Sequence, residues 1–259
     1  VNDSKKHGGR TGFEHFEEDG NTLFELAQWF PRMAAYTDYT GWQHKQFLGR
    51  GEFTLEFGDY RVAITVPDDH VVAATGVLQN PEEVLPGEIL GRLQQSSAQD
   101  EVVHVVTAED LSADRATILD PSGVLTWRFR AEQVRDFAWA TSNEYLWDAT
   151  RAITPDADGD GQPETVAIHS LFRAGIESWI DSAEYVRHAV TFHAERWHPY
   201  PWPQMTGIEG PVGGMEYPML TFVRDFGDPR AVYETLNHEI GHMWFPMMVG
   251  SNEPSYAWM

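Results

Sequence analysis

Apolar and polar positions alternate with period two through much of the first 170 residues. The run Glu52-Phe53-Thr54-Leu55-Glu56-Phe57 shows it clearly. Tyr60 to Val66, Val102 to Val106, Val124 to Arg130, Val134 to Thr141 and Glu164 to Ser170 read as further strands. Gly58-Asp59 and Pro67-Asp68-Asp69 punctuate them as turns. Many short strands at close spacing predict an antiparallel β-sandwich or an open, saddle-like sheet. The first segment, Val1 to Gly20, is polar and carries no such pattern.

The period then changes. From Gly175 to about His198 the apolar residues Ile176, Trp179, Ile180, Ala183, Val186 and Val190 recur mostly at spacings of three and four, which predicts one face of a long helix. Pro199, Pro201 and Pro203 end it. The Gly/Pro-rich turn Gly210-Pro211-Val212-Gly213-Gly214 follows, and then a short apolar strand from Met219 to Val223. A second helix opens at Asp228, a good N-cap, with Pro229 in the first helical position. It is predicted to run to about Phe245, where Pro246 stops it. The fold class this implies is α+β and multidomain. Residues 1–171 form an N-terminal β domain and residues 172–259 the first part of an α/β domain.

Candidate chemistry sits in the second helix, at His238-Glu239-Ile240-Gly241-His242. Positions i and i+4 share one helix face, so two imidazoles there can share one Zn²⁺. Glu239 is rotated about 100° from His238 around the axis. It can flank the metal without ligating it, where a general base is needed. Upstream lies Gly213-Gly214-Met215-Glu216-Tyr217-Pro218. Its glycines let backbone lie close to a bound chain, and a carboxylate at Glu216 can hold a free α-ammonium by charge-assisted hydrogen bonds.

Composition narrows the classes. The chain has 259 residues and a formal net charge of −22, with no basic patch, which speaks against nucleic acid and against an anionic membrane surface. No apolar run is long enough for a membrane helix. With no Cys, disulfides, thiol catalysis and Cys-ligated zinc are excluded. Of the 18 basic residues only 3 are Lys. Such an acidic, Lys-poor surface suits high salt, and an Arg-favouring GC-rich gene explains it equally well. The chain opens on Val1 and closes on Ala257-Trp258-Met259 without a start Met, signal peptide or polar tail, and reads as an internal piece of a longer protein.

The pair Gly-Gly-Met-Glu and H-E-x-x-H-x-Trp resembles the gluzincin zinc aminopeptidases, the family of aminopeptidase N and leukotriene A hydrolase. The resemblance covers most of the chain, Phe137-Ala138-Trp139-Ala140-Thr141 in the β domain included. It implies a β domain followed by the first part of a thermolysin-like zinc-peptidase domain. It also implies a metallopeptidase that acts on peptides with a free N-terminus. His238 and His242 become zinc ligands and Glu239 the base. Glu216 becomes the group that binds the substrate's amino end, with Gly213, Gly214 and Met215 as backbone cradle. Gln28, in Ala27-Gln28-Trp29-Phe30, matches a Gln that the family's β domain adds to the specificity pocket. The chain departs from the family at Tyr217 (usually Asn), Met243 (usually Gln) and Pro246 (usually Gly). The family's third zinc ligand, a Glu, would fall two positions beyond Met259, and its transition-state Tyr further on. The resemblance therefore implies a nearly inactive piece of an enzyme, and, since many relatives are exported, a periplasmic or extracellular setting.

Two other readings stay open: a non-peptidase zinc hydrolase on the same scaffold, and a non-catalytic binding module stabilised by Ca²⁺. The second rests on Asp156, Asp158, Asp160 and Glu164, carboxylates at positions 1, 3, 5 and 9 of a tight loop with Gly161 at its turn. Position 12 is Ala167 rather than a bidentate Glu, and a solvated acidic turn accounts for the same residues. His169, His188, His193 and His198 read as satisfied core or surface residues, and Trp29, Trp42, Trp127 and Trp139 as core or sheet-packing residues. The acidic stretch Glu14 to Asp19 reads as a solvated loop.

Overall fold

The structure is a computed structural model, and it describes residues 10–17, 20–49 and 51–256. The closing run Ala257-Trp258-Met259, most of the opening polar segment, and residues 18 and 19 of the acidic stretch lie outside the described residues. The chain is mostly β-sheet with few helices. In order come β1 (Thr11–His15), β2 (Thr22–Leu26), β3 (Tyr36–Thr37), β4 (Gly41–Trp42), β5 (Gly58–Pro67), β6 (Val71–Ala74) and β7 (Val77–Leu78). Then follow α1 (Pro81–Val84), α2 (Gly87–Ser96), β8 (Val103–Val106), α3 (Ala108–Ser112), β9 (Val124–Val134), β10 (Trp139–Ser142), β11 (Tyr145–Thr154) and β12 (Glu164–Arg173). The last part holds α4 (Ser182–Arg196), β13 (Gln204–Glu209), β14 (Met215–Tyr217), β15 (Leu220–Val223) and α5 (Pro229–Gly241).

Three sheets carry the fold. One has the order β1-β2-β10-β6 and another β5-β9-β7, all antiparallel. The third is mixed, with order β14-β15-β13-β12-β11-β8. Its β12–β13 and β13–β15 pairs are parallel. Parallel neighbours need a crossover, and α4 supplies the one between β12 and β13. The helix packs across β11, β12 and β13, burying Ala183, Val186, Ala189, Val190 and Ala194. Close approach is possible because Gly207 lies beneath it: a Cβ there would stand 2.9 Å from Val186 Cγ2. The α5 helix packs in turn on α4, β14 and β15.

Several sequence expectations need correction. A boundary at 171/172 cuts inside β12, and the six-stranded sheet runs across it, from β8, β11 and β12 to β13, β14 and β15. The change of sheet falls between β10 and β11, near residues 142–145. Alternation hid this because β12 reads like the strands before it, and β11 lies in a stretch for which no strand was predicted. Glu52 to Phe57 is not a ladder strand. It makes one bridge, Leu55 with Ala34, while its polar groups bond elsewhere, as with Glu253 Oε2 accepting the Phe53 N–H at 3.0 Å. The long helix begins at Ser182 rather than Gly175, after a short 3₁₀ turn at Glu177–Trp179. The second helix ends at Gly241 rather than Phe245. Pro246 drives the residue before it out of the helical region, and Phe245 is extended (φ −149°, ψ 112°).

Candidate metal and amine site

The α5 helix starts where the sequence says it should. The Asp228 side chain accepts the Arg230 N–H at 3.1 Å, and Pro229 fills the first turn. Its inward face is Val232, Leu236, Glu239 and Ile240, so burial on the apolar stripe carries Glu239 inside with its neighbours. His238 and His242 lie one turn apart toward the open side, and their Nε2 atoms stand 3.2 Å from each other. Two nitrogens on one tetrahedral zinc at roughly 2.0–2.1 Å each stand about 3.3 Å apart. The donor set is right as well. His242 Nδ1 meets the Phe245 carbonyl at 2.9 Å. A carbonyl only accepts, so Nδ1 holds the proton and Nε2 keeps its lone pair. Partial burial and the neighbouring His242 hold His238 below the usual histidine range, which keeps it neutral as a ligand must be. The two histidines thus fit as two ligands of a zinc site.

Gly241, between them, faces α4. A Cβ there would lie 3.4 Å from His193 Nε2, and that nitrogen stands 3.1 Å from Asn237 Oδ1 and 3.2 Å from the Asn237 carbonyl. His193 also stacks on Trp197 at 4.6 Å and lies against Trp244 at 5.4 Å. It packs behind the motif, and its Nδ1 is buried without a hydrogen-bond partner among the described residues.

The Gly-Gly-Met-Glu segment comes to the same place. β14 pairs antiparallel with β15, Met215 opposite Phe222 and Glu216 opposite Thr221. Met215 is buried in the core. Gly214 is the glycine that matters: a Cβ on it would lie 2.4 Å from Glu239 Oε1. Gly213 has no such neighbour, its nearest being Arg224 Cδ at 3.9 Å. Ligand atoms of Glu216, Glu239 and His242 all lie within 4.8 Å of one another. Among the described residues neither glutamate has an ion pair with Lys or Arg. Burial first, then the charge and hydrogen bond of Glu216, push Glu239 up to about 8. Burial also raises Glu216, against the pull of His242. Two acids so placed keep a proton between them until a cation enters.

Gln28 follows β2 with a left-handed backbone (φ +52°), and its buried Nε2 finds no hydrogen-bond partner among the described residues. Sequence reasoning passed over Glu253 and Glu52. Burial holds Glu253 above the usual carboxylate range, with Glu52 and His242 among its charged neighbours. Its one sequence signal is an acid eleven positions after His242, and nothing marks Glu52 in its alternating run.

At the Asp-rich loop, ligand atoms of Asp156, Asp158 and Glu164 lie within 4.8 Å of one another, and Asp160 is not in that group. The loop's own backbone occupies the carboxylates. Asp156 accepts from Gly159 N at 2.6 Å and Gly161 N at 2.8 Å, and Asp160 from Gln162 N at 2.7 Å. These bonds account for the turn, and nothing further singles out Ca²⁺.

No protein-family model matches the chain, and no curated protein does. Solved structures it is similar to include M1 zinc metallopeptidases. The enzyme from Deinococcus radiodurans is 17% identical with a TM-score of 0.42, over 75% of this chain and 35% of that one. A mutant of the Deinococcus radiodurans enzyme bound to a Tyr-Ser-Ala substrate gives the same values. A two-domain M1 zinc metallopeptidase mutant bound to L-arginine is 15% identical with a TM-score of 0.46, over 96% of this chain and 44% of that one. The chain thus spans 35% to 44% of the length of these proteins.

Proposed function

We propose that this chain carries the zinc-binding and amine-recognising part of an aminopeptidase, which removes residues from the free amino end of peptides. The observation that carries the reading is the meeting of two distant segments. The carboxylates of Glu239 on α5 and Glu216 on β14 come together over Gly214, beside an imidazole pair spaced for zinc. His238 and His242 would hold the metal, which when bound supplies a Lewis acid that polarises a peptide carbonyl and acidifies water. Glu239 is the base. Its carboxylate takes a proton from the attacking water and returns it to the departing amine nitrogen. Among the described residues Glu216 has no ion pair with Lys or Arg, so the substrate's ammonium supplies the cation, and cleavage is counted from that end. Among the described residues no third side chain groups with both imidazoles. We therefore expect the 259-residue chain alone to hold zinc loosely and to turn peptides over slowly or not at all.

The test is a zinc titration followed by peptide binding. One zinc per chain is expected, lost in His242→Ala and kept in Glu216→Gln. The zinc-loaded chain should prefer a free-amine dipeptide to its N-acetylated form, and Glu216→Gln should erase that preference. Zinc uptake that ignores His242→Ala, or an unchanged preference in Glu216→Gln, overturns the reading.

A further inference from the structure

The short segment that bears Glu216 has little to hold it by itself. It follows two glycines, β14 is three residues long, and it pairs on one side only. Two glutamates from the first fifth of the chain grip it at both ends. Ahead of it, Glu25 Oε2 accepts the Val212 N–H at 3.0 Å. Glu25 lies in β2, opposite Gly12 of β1 and Ala140 of β10, and is 1% exposed. Gly210 makes room for it: a Cβ there would stand 2.4 Å from Glu25 Oε1. Behind the segment, Glu52 Oε1 accepts the Tyr217 hydroxyl at 2.7 Å, while Glu52 Oε2 takes the Arg10 Nε–H at 2.9 Å. Both glutamates are buried, and between their anchor points at Val212 and Tyr217 lie only Gly213, Gly214, Met215 and Glu216.

Stability alone is a poor explanation for Glu25. Among the described residues its other oxygen, Oε1, is buried without a hydrogen-bond partner, and Glu25 forms no ion pair with Lys or Arg. An apolar side chain of similar volume would cost less there. What the carboxyl does provide is a fixed point for one backbone N–H. Tyr217 fits the same account: where the resembling family has Asn, this chain has a phenol long enough to reach Glu52.

We propose that Glu25 and Glu52 are positioning residues that set the placement of residues 212–217, so that Glu216 stands at the amine subsite beside Glu239. The inference rests on the reading of Glu216 as the group that receives the substrate's amino end. It makes the N-terminal strands part of the site's scaffold rather than a separate module. A displacement of about 1 Å in such a group is enough to cost roughly a hundredfold in a positioned reaction.

The experiment uses the whole chain with excess zinc and the variants Glu25→Leu, Glu25→Gln and Tyr217→Phe. Three quantities are measured: amide hydrogen exchange over residues 210–217, zinc content, and affinity for a free-amine dipeptide against its N-acetylated form. Glu25→Leu and Tyr217→Phe should speed exchange in that segment about tenfold, the loss of one hydrogen bond. Their preference for the free amine should fall by a similar factor, with zinc still at one per chain. Glu25→Gln keeps a carbonyl acceptor for Val212 and should restore both. Unchanged exchange over 210–217 overturns the proposal, as does faster exchange spread equally over α4, or a Glu25→Gln variant as impaired as Glu25→Leu. Equal affinity of the parent chain for the two peptides brings down the Glu216 assignment instead, while the exchange data still decide the grip.

Discussion

Two groups of carboxylates among the described residues have opposite chemistry. Around Glu216 and Glu239 the acids sit inside, against a helix and a glycine, with no Lys or Arg paired to them among the described residues. In the loop from Asp156 to Glu164 they sit outside and accept hydrogen bonds from the turn's own N–H groups. Burial drives the first pair up, Glu239 to about 8. The bonds from Gly159 and Gly161 pull Asp156 down. Both sets bring three ligand atoms within the same 4.8 Å. Proximity of acids therefore says little. What makes a cluster ready to take up a cation is negative charge that the protein has removed from water and left unanswered.

The sharpest way to break this contrast is at the buried acid. Glu239→Gln keeps shape and removes the base, so whatever peptide hydrolysis the zinc-loaded chain shows should fall by about 10²–10⁴. Zinc content should stay at one per chain. Where the parent shows measurable turnover, a variant that hydrolyses as fast would make Glu239 a packing residue. Next in size is the imidazole pair. His238→Ala or His242→Ala leaves one protein nitrogen where two stood 3.2 Å apart. Zinc affinity should drop by more than about a hundredfold in a competition assay with a coloured chelator. Affinity within a factor of two of the parent would place the metal elsewhere.

The two regions also differ in how far the sequence revealed them. The spacing His238 to His242 and the cap Asp228-Pro229 are local signals, and local geometry delivered them. Gly214 was visible as a glycine, but its reason, the Glu239 carboxylate 2.4 Å from an imagined Cβ, depends on two segments meeting. Glu25 and Glu52 were hidden for the same cause. Each sits in an alternating run where an acid reads as solvent-facing, and only the approach of residues 210–217 turns it inward. The sheet crossing residue 171 was hidden because a strand's period does not tell which sheet it joins. The Asp-rich loop was fully legible as a turn, since each of its bonds spans at most seven residues.

At the site, burial and acid crowding act together. His169 separates them, because burial alone lowers it, to about 4. Its Nδ1 accepts the Trp147 indole N–H at 3.3 Å, which requires a neutral ring. The folded value lies below the unfolded 6.5. Its stabilising contribution is therefore present above pH 6.5 and is lost as pH falls through 4. A shift of that size corresponds to about 3 kcal/mol, and partial exposure of the ring trims it to about 2. Urea unfolding at pH 7 and pH 4 should show that loss in the parent chain, and His169→Phe should remove it. An unchanged pH slope in His169→Phe would mean that burial alone does not set the titration, and the account of Glu239 would then lean on its neighbour.

The smallest effect belongs to the loop. Asp156→Asn with Asp158→Asn removes two charges, and the Asn amide oxygen can keep only one of the two bonds that Asp156 accepts from Gly159 and Gly161. On so exposed a turn, the thermal unfolding midpoint should fall by no more than about 2 °C, and zinc uptake should not change. Millimolar Ca²⁺ should leave the unfolding of the parent chain where it is, whereas a ligand bound only by the folded form would raise stability by RT ln(1 + [L]/Kd). A calcium-dependent rise that disappears in the double variant would show that Asp156, Asp158 and Glu164 release their backbone partners for a metal. The contrast between answered and unanswered carboxylates would then fail at its exposed end.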